Sequence, residues 1–168
     1  LSIFADLPVT DLSMWGCPVT DFQPLRAVPT LRHLHAIHSP ATSIEGLRGL
    51  KLRTLDLSDS QVTDLSPLAG MPLEFLLLSK VKITDLSPLR KMPLRFLDLN
   101  GTGGLDVSVL TDCPTLEAVV LPVAARNVEA LRQMPKLTRI SHRTTGKPPA
   151  PDKTAAEFWK EFDAKKAG

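Results

Sequence analysis

The sequence predicts an α/β solenoid, in which short units stack into a right-handed coil with a parallel β-sheet along its concave side. Residues 62–79 (VTDLSPLAGMPLEFLLLS) are closely similar to residues 83–100 (ITDLSPLRKMPLRFLDLN), which begin 21 residues later. Such tandem similarity is typical of proteins that stack one structural unit on copies of itself. Within each unit, leucines alternate with other side chains, which is typical of a strand with one buried face.

The core of the unit is Leu-x-x-Leu-x-Leu, and its copies along the chain predict about seven short strands. A strand of a few residues cannot bury its leucines alone, so neighbouring units must stack to form one continuous core. The middle position of the motif recurs every 21 or 22 residues, at Leu12, Leu34, Leu55, Leu76, Leu97, Val119 and Ile140.

The segments that return between the strands predict 3-10 or irregular turns on the convex side, because they are too short for an α-helix. Leu65 and Leu68 are expected to face the core. Pro67 suits the first position of a helical turn, since it has no N–H to lose there, and Ser66 is predicted as the N-cap. Asp64 is expected to accept a hydrogen bond from a nearby backbone amide.

The motif and its period resemble the leucine-rich repeat family. Residues 63–68 and 84–89, both TDLSPL, are similar to the short repeats of bacterial internalin-like proteins. The sequence MetProLeu at 71–73 and 92–94 is similar to arrays attached to some bacterial serine/threonine protein kinases. The resemblance covers residues 1–143 and implies a leucine-rich repeat solenoid. The chain departs from the family where an asparagine usually follows the last leucine, so no asparagine ladder is expected; this position holds Cys17, Ser39, Ser60, Val81, Thr102 and Ala124.

The repeat array is predicted over residues 1–143. Residues 1–8 align with residues 65–72, so the chain starts in mid-repeat and without a methionine. We therefore expect a fragment of a longer protein. Residues 144–152 are rich in proline and predict a stiff, extended linker.

Residues 153–168 predict a C-terminal helix. Thr154 and Glu157 form a capping-box pattern, and Phe158, Trp159 and Phe162 give the helix an aromatic face. Because the last unit of a solenoid otherwise exposes its leucines, we interpret this helix as a cap that folds back onto the array. The alternative is a docking peptide for a groove on a partner.

Composition excludes several functional classes. The formal net charge is +2 with Lys and Arg dispersed, which gives no electrostatic footprint for nucleic acid. No apolar run reaches the roughly 18 residues that a membrane span needs. Cys17 and Cys113 lie four strands apart, about 20 Å, too far for a disulfide. We therefore predict two buried, reduced thiols and a cytoplasmic location.

The sequence predicts no catalytic activity and no cofactor. It contains no phosphate-binding loop, since the lysine that such a loop needs does not follow residues 101–104 (GTGG). It also contains no Gly-x-Ser-x-Gly elbow and neither the His-Arg-Asp nor the Asp-Phe-Gly motif of a kinase. If the parent protein is a kinase, its catalytic domain lies outside these residues.

Alternate strand residues point out of the coil and form rows across the predicted sheet. In these rows four apolar side chains are expected to form an exposed patch with Asp56 and Asp98 at its rim, which is the pattern of an interaction site for a protein or peptide. The alternative is that the tail helix or a neighbouring domain covers the patch. The candidate partner-binding residues of the concave face are Trp15, His33, His35, Asp56, Phe75, Leu77, Phe96, Asp98 and Val120.

A metal site is the chemical alternative. His33 and His35 are two residues apart on one strand, so their side chains share one face about 6.6–7 Å apart. Asp11 and Asp56 lie in the same rows, and histidine with carboxylate can bind a transition metal. No Cys-x-x-Cys or His-Glu-x-x-His motif accompanies them. We therefore interpret them as solvated side chains and predict no metal.

Two functions follow from these observations. The first is a non-catalytic protein-interaction module that binds a protein or peptide through its concave face. The second is a structural or regulatory segment of a larger bacterial signalling protein, such as a serine/threonine kinase, in which other domains of the same chain pack against the array.

Overall fold

The computed structural model describes residues 8–145 and 150–167. Within them, seven three-residue strands form one parallel sheet whose spatial order is their order in the chain. The predicted solenoid with about seven short strands is therefore confirmed. The strands are β1 (Asp11–Ser13), β2 (His33–His35), β3 (Thr54–Asp56), β4 (Phe75–Leu77), β5 (Phe96–Asp98), β6 (Ala118–Val120) and β7 (Arg139–Ser141).

The register of the sheet stacks equivalent residues of successive repeats. Leu34 pairs with Leu55, and Leu76 pairs with Leu97, so the motif leucines form a column behind the sheet. These four side chains are fully buried. Because side chains alternate along a strand, the residues before and after each buried leucine point outward, onto the concave face.

The convex side consists of 3-10 turns. Ser66 begins one of them, and its backbone N–H and its hydroxyl both donate to the Asp64 carboxylate, at 2.8 and 2.7 Å. The role predicted for Asp64 is confirmed, and these bonds lower the pKa of its carboxyl group. The prediction that Ser66 is the N-cap is wrong, because its hydroxyl bonds Asp64 instead of a backbone amide. The six turns of the described residues are Gln23–Ala27, Glu45–Leu47, Ser66–Leu68, Ser87–Leu89, Ser108–Asp112 and Val128–Gln133.

A tight backbone turn after each of the first five strands replaces the asparagine ladder. In the third repeat the Ser60 N–H donates to the Leu57 carbonyl at 3.0 Å, and equivalent bonds close the other four turns. The residue before the closing amide has a positive φ, as a type II turn requires. These residues are Gly16, His38, Asp59, Lys80 and Gly101.

The chain after β7 folds back onto the array. Thr144–Thr145 (β8) pairs antiparallel with Ala150–Pro151 (β9), while residues 146–149 of the predicted linker lie outside the described residues. Thr154 then forms an antiparallel bridge with Arg139, at the free edge of β7.

Helix α1 (Ala155–Ala167) follows and packs against the last repeat. Thr154 and Glu157 make the predicted capping box, in which the Thr154 N–H donates to the Glu157 carboxylate at 2.8 Å. Phe158 is buried, and its ring centroid lies 5.4 Å from that of His142. Arg132 donates to Asp163 at 2.6 Å and stacks over the Trp159 ring.

Both cysteines are free thiols. Cys113 is buried in the core, and burial raises its pKa to about 11. Cys17 is exposed, so the prediction of a buried thiol there is wrong, because it lies in the turn after β1, the outermost strand among the described residues. None of the helices among the described residues is both long and apolar enough to span a bilayer.

Candidate interaction surface on the concave sheet

Burial of the large apolar side chains that face outward increases along the concave face from β4 to β6. Asp11 and Ser13 on β1 are exposed, and Phe75 on β4 is 39% exposed. Phe96 on β5 is only 8% exposed, and Val120 on β6 is fully buried. We call β1 to β4 the open section and β5 to β7 the covered section, although Asp56 in the first is buried and Arg139 in the second is exposed.

The tail packs against β6 and β7 of the covered section. β9 packs against β6, and Pro151 is buried there. The Arg139 guanidinium donates to the Pro151 carbonyl, and the Asp152 N–H donates to the Ser141 hydroxyl at 3.3 Å. The expectation that Val120 belongs to an exposed patch is therefore wrong.

Phe96 is also removed from the predicted patch by burial. It pairs in register with Ala118 on β6 and with Phe75 on β4, and it is 8% exposed. Phe75 and Leu77 are thus the two candidate apolar residues of the sheet that keep accessible surface.

The two aspartates predicted as a polar rim are buried. Asp56 is 6% exposed and Asp98 is 3% exposed. Each carboxylate accepts the backbone N–H two residues further on, Ser58 at 2.9 Å and Asn100 at 2.8 Å. The rim assignment is wrong because these carboxylates turn back to the chain. Burial raises the pKa of Asp98, although Asn100 and the Ser79 hydroxyl bond its charged form.

The histidines lie in the open section beside β3. His33 Nδ1 is 3.0 Å from the Thr54 hydroxyl, and His35 Nδ1 is 4.0 Å from Asp56 Oδ2. Both side chains are partly accessible. Residues 8–145 and 150–167 contain no group of three or more histidine, cysteine or acidic side chains that could hold a metal ion.

Trp15 stands at the outer end of the open section, in the turn after β1. Its side chain is 71% exposed and its ring centroid is 6.5 Å from that of His38. His38 in turn lies 3.9 Å from the Asp59 carboxylate. Trp15 is thus an exposed aromatic side chain that is separated from Phe75 by two strands.

Ion pairs between neighbouring repeats border the concave face on both sides. Arg53 pairs with Glu74 at 3.4 Å before the strands, and Arg95 pairs with Glu117 at 3.0 Å. After the strands, Lys80 pairs with Asp59 at 3.2 Å. Exposed pairs of this kind contribute roughly 0–1 kcal/mol each to stability. Their larger effect is to present fixed charges to anything that approaches the sheet.

A cavity of about 740 Å³ lies elsewhere, between α1 and the last repeat. Its lining includes Val123, His142, Arg143, Phe158 and Phe162, and none of the predicted site residues. The structure thus brings together Phe75, Leu77, His33 and His35 in the open section. It buries Phe96, Asp98 and Val120, and Val120 lies on β6, against which β9 packs.

Sequence reasoning missed the residues that hold the tail, namely Arg139, Ser141 and Pro151. The outward direction of Arg139 and Ser141 follows from the period of the motif. No pattern in residues 144–154 indicates which part of the array they contact, because a short extended segment lacks the periodicity that predicts a buried side.

The fold and its concave sheet define a leucine-rich repeat solenoid. An internalin (inlF) from Listeria monocytogenes is similar, with a TM-score of 0.76 and 24% identity over 85% of this chain and 44% of that one. An internalin C2 (inlC2) from the same species gives a TM-score of 0.74 and 27% identity over 83% of this chain and 64% of that one. The chain thus spans less than two thirds of either protein. No protein-family model matches the chain, and no curated protein matches its sequence.

Proposed function

We propose that the chain is a non-catalytic module that binds a protein or peptide through the open section of its concave face. The observation that carries this proposal is the exposure of Phe75 beside the partly accessible Leu77, whereas the other large outward-facing apolar residues of the described sheet, Phe96 and Val120, are buried. An exposed aromatic side chain next to an apolar neighbour gains stability when a partner covers it. The similarity to leucine-rich repeat internalins supports an interaction role in general.

The surroundings of Phe75 support the same proposal. Apolar residues lie in the centre, the half-exposed His33 and His35 lie two strands away, and ion pairs lie on both borders. A less polar centre with a charged border is the usual arrangement of a protein interface. In such an interface the aromatic anchor carries much of the binding free energy, and the border charges select the partner.

A substitution at the anchor tests the proposal. Phe75→Asp places a charge at the centre of the open section, and its side chain is exposed enough that the fold should tolerate the change. Val123→Asp is the matched control, because Val123 is 84% exposed but lies in the loop after β6. Both variants and the original chain are immobilised, and bound proteins are identified by mass spectrometry.

We expect the original chain and Val123→Asp to retain the same proteins, and Phe75→Asp to lose them while its melting temperature stays within a few degrees. Retention of every captured protein by a folded Phe75→Asp variant would exclude the open section as the binding surface.

We also propose a cytoplasmic location, from the state of the Cys17 thiol. Cys17 is exposed and free, and an exposed thiol persists best in a reducing compartment, which supports the cytoplasm. The other function considered from the sequence, a regulatory segment of a larger signalling protein such as a serine/threonine kinase, stays a prediction.

A further inference from the structure

The tail shows what kind of chain the concave sheet accommodates. Pro151 is buried on β6, its carbonyl accepts from Arg139, and the next N–H donates to Ser141. A proline carries no N–H, so its ring can lie on an apolar surface without leaving a donor unsatisfied. The sheet therefore already binds one extended, proline-containing segment, which belongs to the same chain.

The arrangement of side chains on β5 and β6 has a counterpart two strands away. In the covered section, Asp98 on β5 neighbours Val120 on β6. In the open section, Asp56 on β3 neighbours Leu77 on β4 in the same row. Both aspartates turn back to the backbone N–H two residues on, so each leaves the apolar neighbour as the outward surface. Two strand spacings separate the two positions by about 10 Å.

The two positions differ in whether another segment of the chain covers them. Val120 is fully buried under the tail, whereas Leu77 is partly accessible and the adjacent Phe75 is 39% exposed. Because Phe75 adds an aromatic ring, the open position has more apolar surface than the position that the tail fills. Aromatic surfaces are the usual docking sites for extended proline-rich segments, since these lose little entropy on binding.

We propose, resting on the function proposed above, that Leu77 and Phe75 bind an extended, proline-containing segment of the partner protein. The partner's proline ring packs on Leu77, as Pro151 packs on β6. His35, whose side chain is 42% exposed, lies on the neighbouring side of Asp56 and supplies a ring nitrogen for a carbonyl of the segment. For the tail, Arg139 on β7 binds such a carbonyl, one strand beyond Val120.

The test uses the whole chain and a fluorescein-labelled peptide that copies residues 144–153 (TTGKPPAPDK). A second peptide has every proline replaced by serine. Binding is measured by fluorescence anisotropy to the original chain, to Leu77→Thr and to the matched control Val123→Thr. Thermal melting of each variant shows that it is folded.

We expect the proline peptide to bind the original chain and Val123→Thr equally, and to bind Leu77→Thr at least tenfold more weakly. The serine peptide is expected to bind at least tenfold more weakly than the proline peptide. Equal binding of the two peptides would overturn the proposal. Equal binding of the proline peptide to Leu77→Thr and to the original chain would also overturn it. The peptide would then be replacing the tail over Val120 instead of binding at Leu77.

Failure of this inference is distinguishable from failure of the proposed function. If the proline peptide does not bind at millimolar concentration, while Phe75→Asp still abolishes capture of a partner, then the open section binds a partner of other chemistry. If Phe75→Asp leaves capture unchanged, the proposed function itself fails.

Discussion

The open and covered sections of the concave face are built from the same repeat, yet their outward side chains have different environments. Leu77 on β4 and Val120 on β6 occupy the same row of the sheet. Leu77 keeps accessible surface, and Val120 is fully buried. Among the described residues β9 packs against β6 and β7, which accounts for the burial of Val120.

The comparison teaches that position in a repeat fixes the direction of a side chain but not its exposure. Direction follows from the pleat and the register, which are the same in each repeat. Exposure depends on what else in the chain lies over the sheet. The exposed residues of a solenoid can therefore be identified only when the path of its terminal segments is known.

The largest expected effect is on the covered section. A chain that ends at Thr145 loses the burial of Val120 and the packing of Phe158 on the last repeat. At roughly 1.5–3 kcal/mol per buried apolar side chain, we expect the free energy of unfolding to fall by about 4 kcal/mol. The melting temperature should fall by roughly 10 °C, measured by circular dichroism.

The matched change in the open section is Trp15→Ala. Trp15 is 71% exposed, so its removal should change the free energy of unfolding by only about 0.5 kcal/mol. Unchanged stability of the chain that ends at Thr145 would contradict a capping role for the tail and would favour the docking-peptide alternative.

An effect of intermediate size concerns pH. Burial raises the pKa of Asp98, so the folded state binds its proton more tightly than the unfolded chain does. The contribution of Asp98 to stability is then greatest below about pH 3.9, the ordinary value, and is lost as the pH rises through the folded pKa. We therefore expect Asp98→Asn to gain stability relative to the original chain as the pH rises above about 3.9.

Asp64 gives the opposite trend and serves as the control. Hydrogen bonds from Ser66 lower the pKa of this exposed carboxyl, so its stabilising contribution is present above about pH 3.9 and is lost as the pH falls. Asp64→Asn should be less stable than the original chain at pH 7, and the difference should close on acidification. Urea unfolding at several pH values measures both trends, and parallel curves for the two variants would contradict the assignment.

A smaller effect than the loss of the tail is expected in the turns of the array itself. The Ser39 hydroxyl donates to the Val19 carbonyl at 2.7 Å, whereas the equivalent Ser60 hydroxyl is buried and has no hydrogen-bond partner among the described residues. Ser39→Ala should lower the free energy of unfolding by about 1 kcal/mol, and Ser60→Ala should raise it by up to about 1 kcal/mol. Chemical denaturation measures both, and an equal loss in the two variants would show that Ser60 has an unseen partner.

Much of the fold could be predicted from the sequence because the repeat carries the information locally. Leu55, Leu76 and Leu97 recur at a fixed spacing, and stacking is the arrangement that buries all of them. The bond between Asp64 and Ser66 was predictable for the same reason, since both partners lie within one turn. The capping box of Thr154 and Glu157 is likewise a contact between residues three apart.

The candidate site was harder to predict because its exposure depends on contacts between distant residues. Val120 and Pro151 are 31 positions apart in the sequence, and no periodic pattern links them. Asp56 and Asp98 look like surface residues in the motif, yet each carboxylate is held by a backbone amide of its own turn. Polar identity alone therefore did not predict their burial.

The bridge between Arg139 and Thr154 has a consequence for self-association. The outer edge of a parallel sheet offers unpaired backbone groups to any passing strand, and such edges promote aggregation. Here the Ala155 N–H donates to the Thr138 carbonyl at 2.8 Å, and the chain then turns directly into α1. The tail therefore terminates the sheet at β7 and blocks the addition of a further strand from another molecule at that edge.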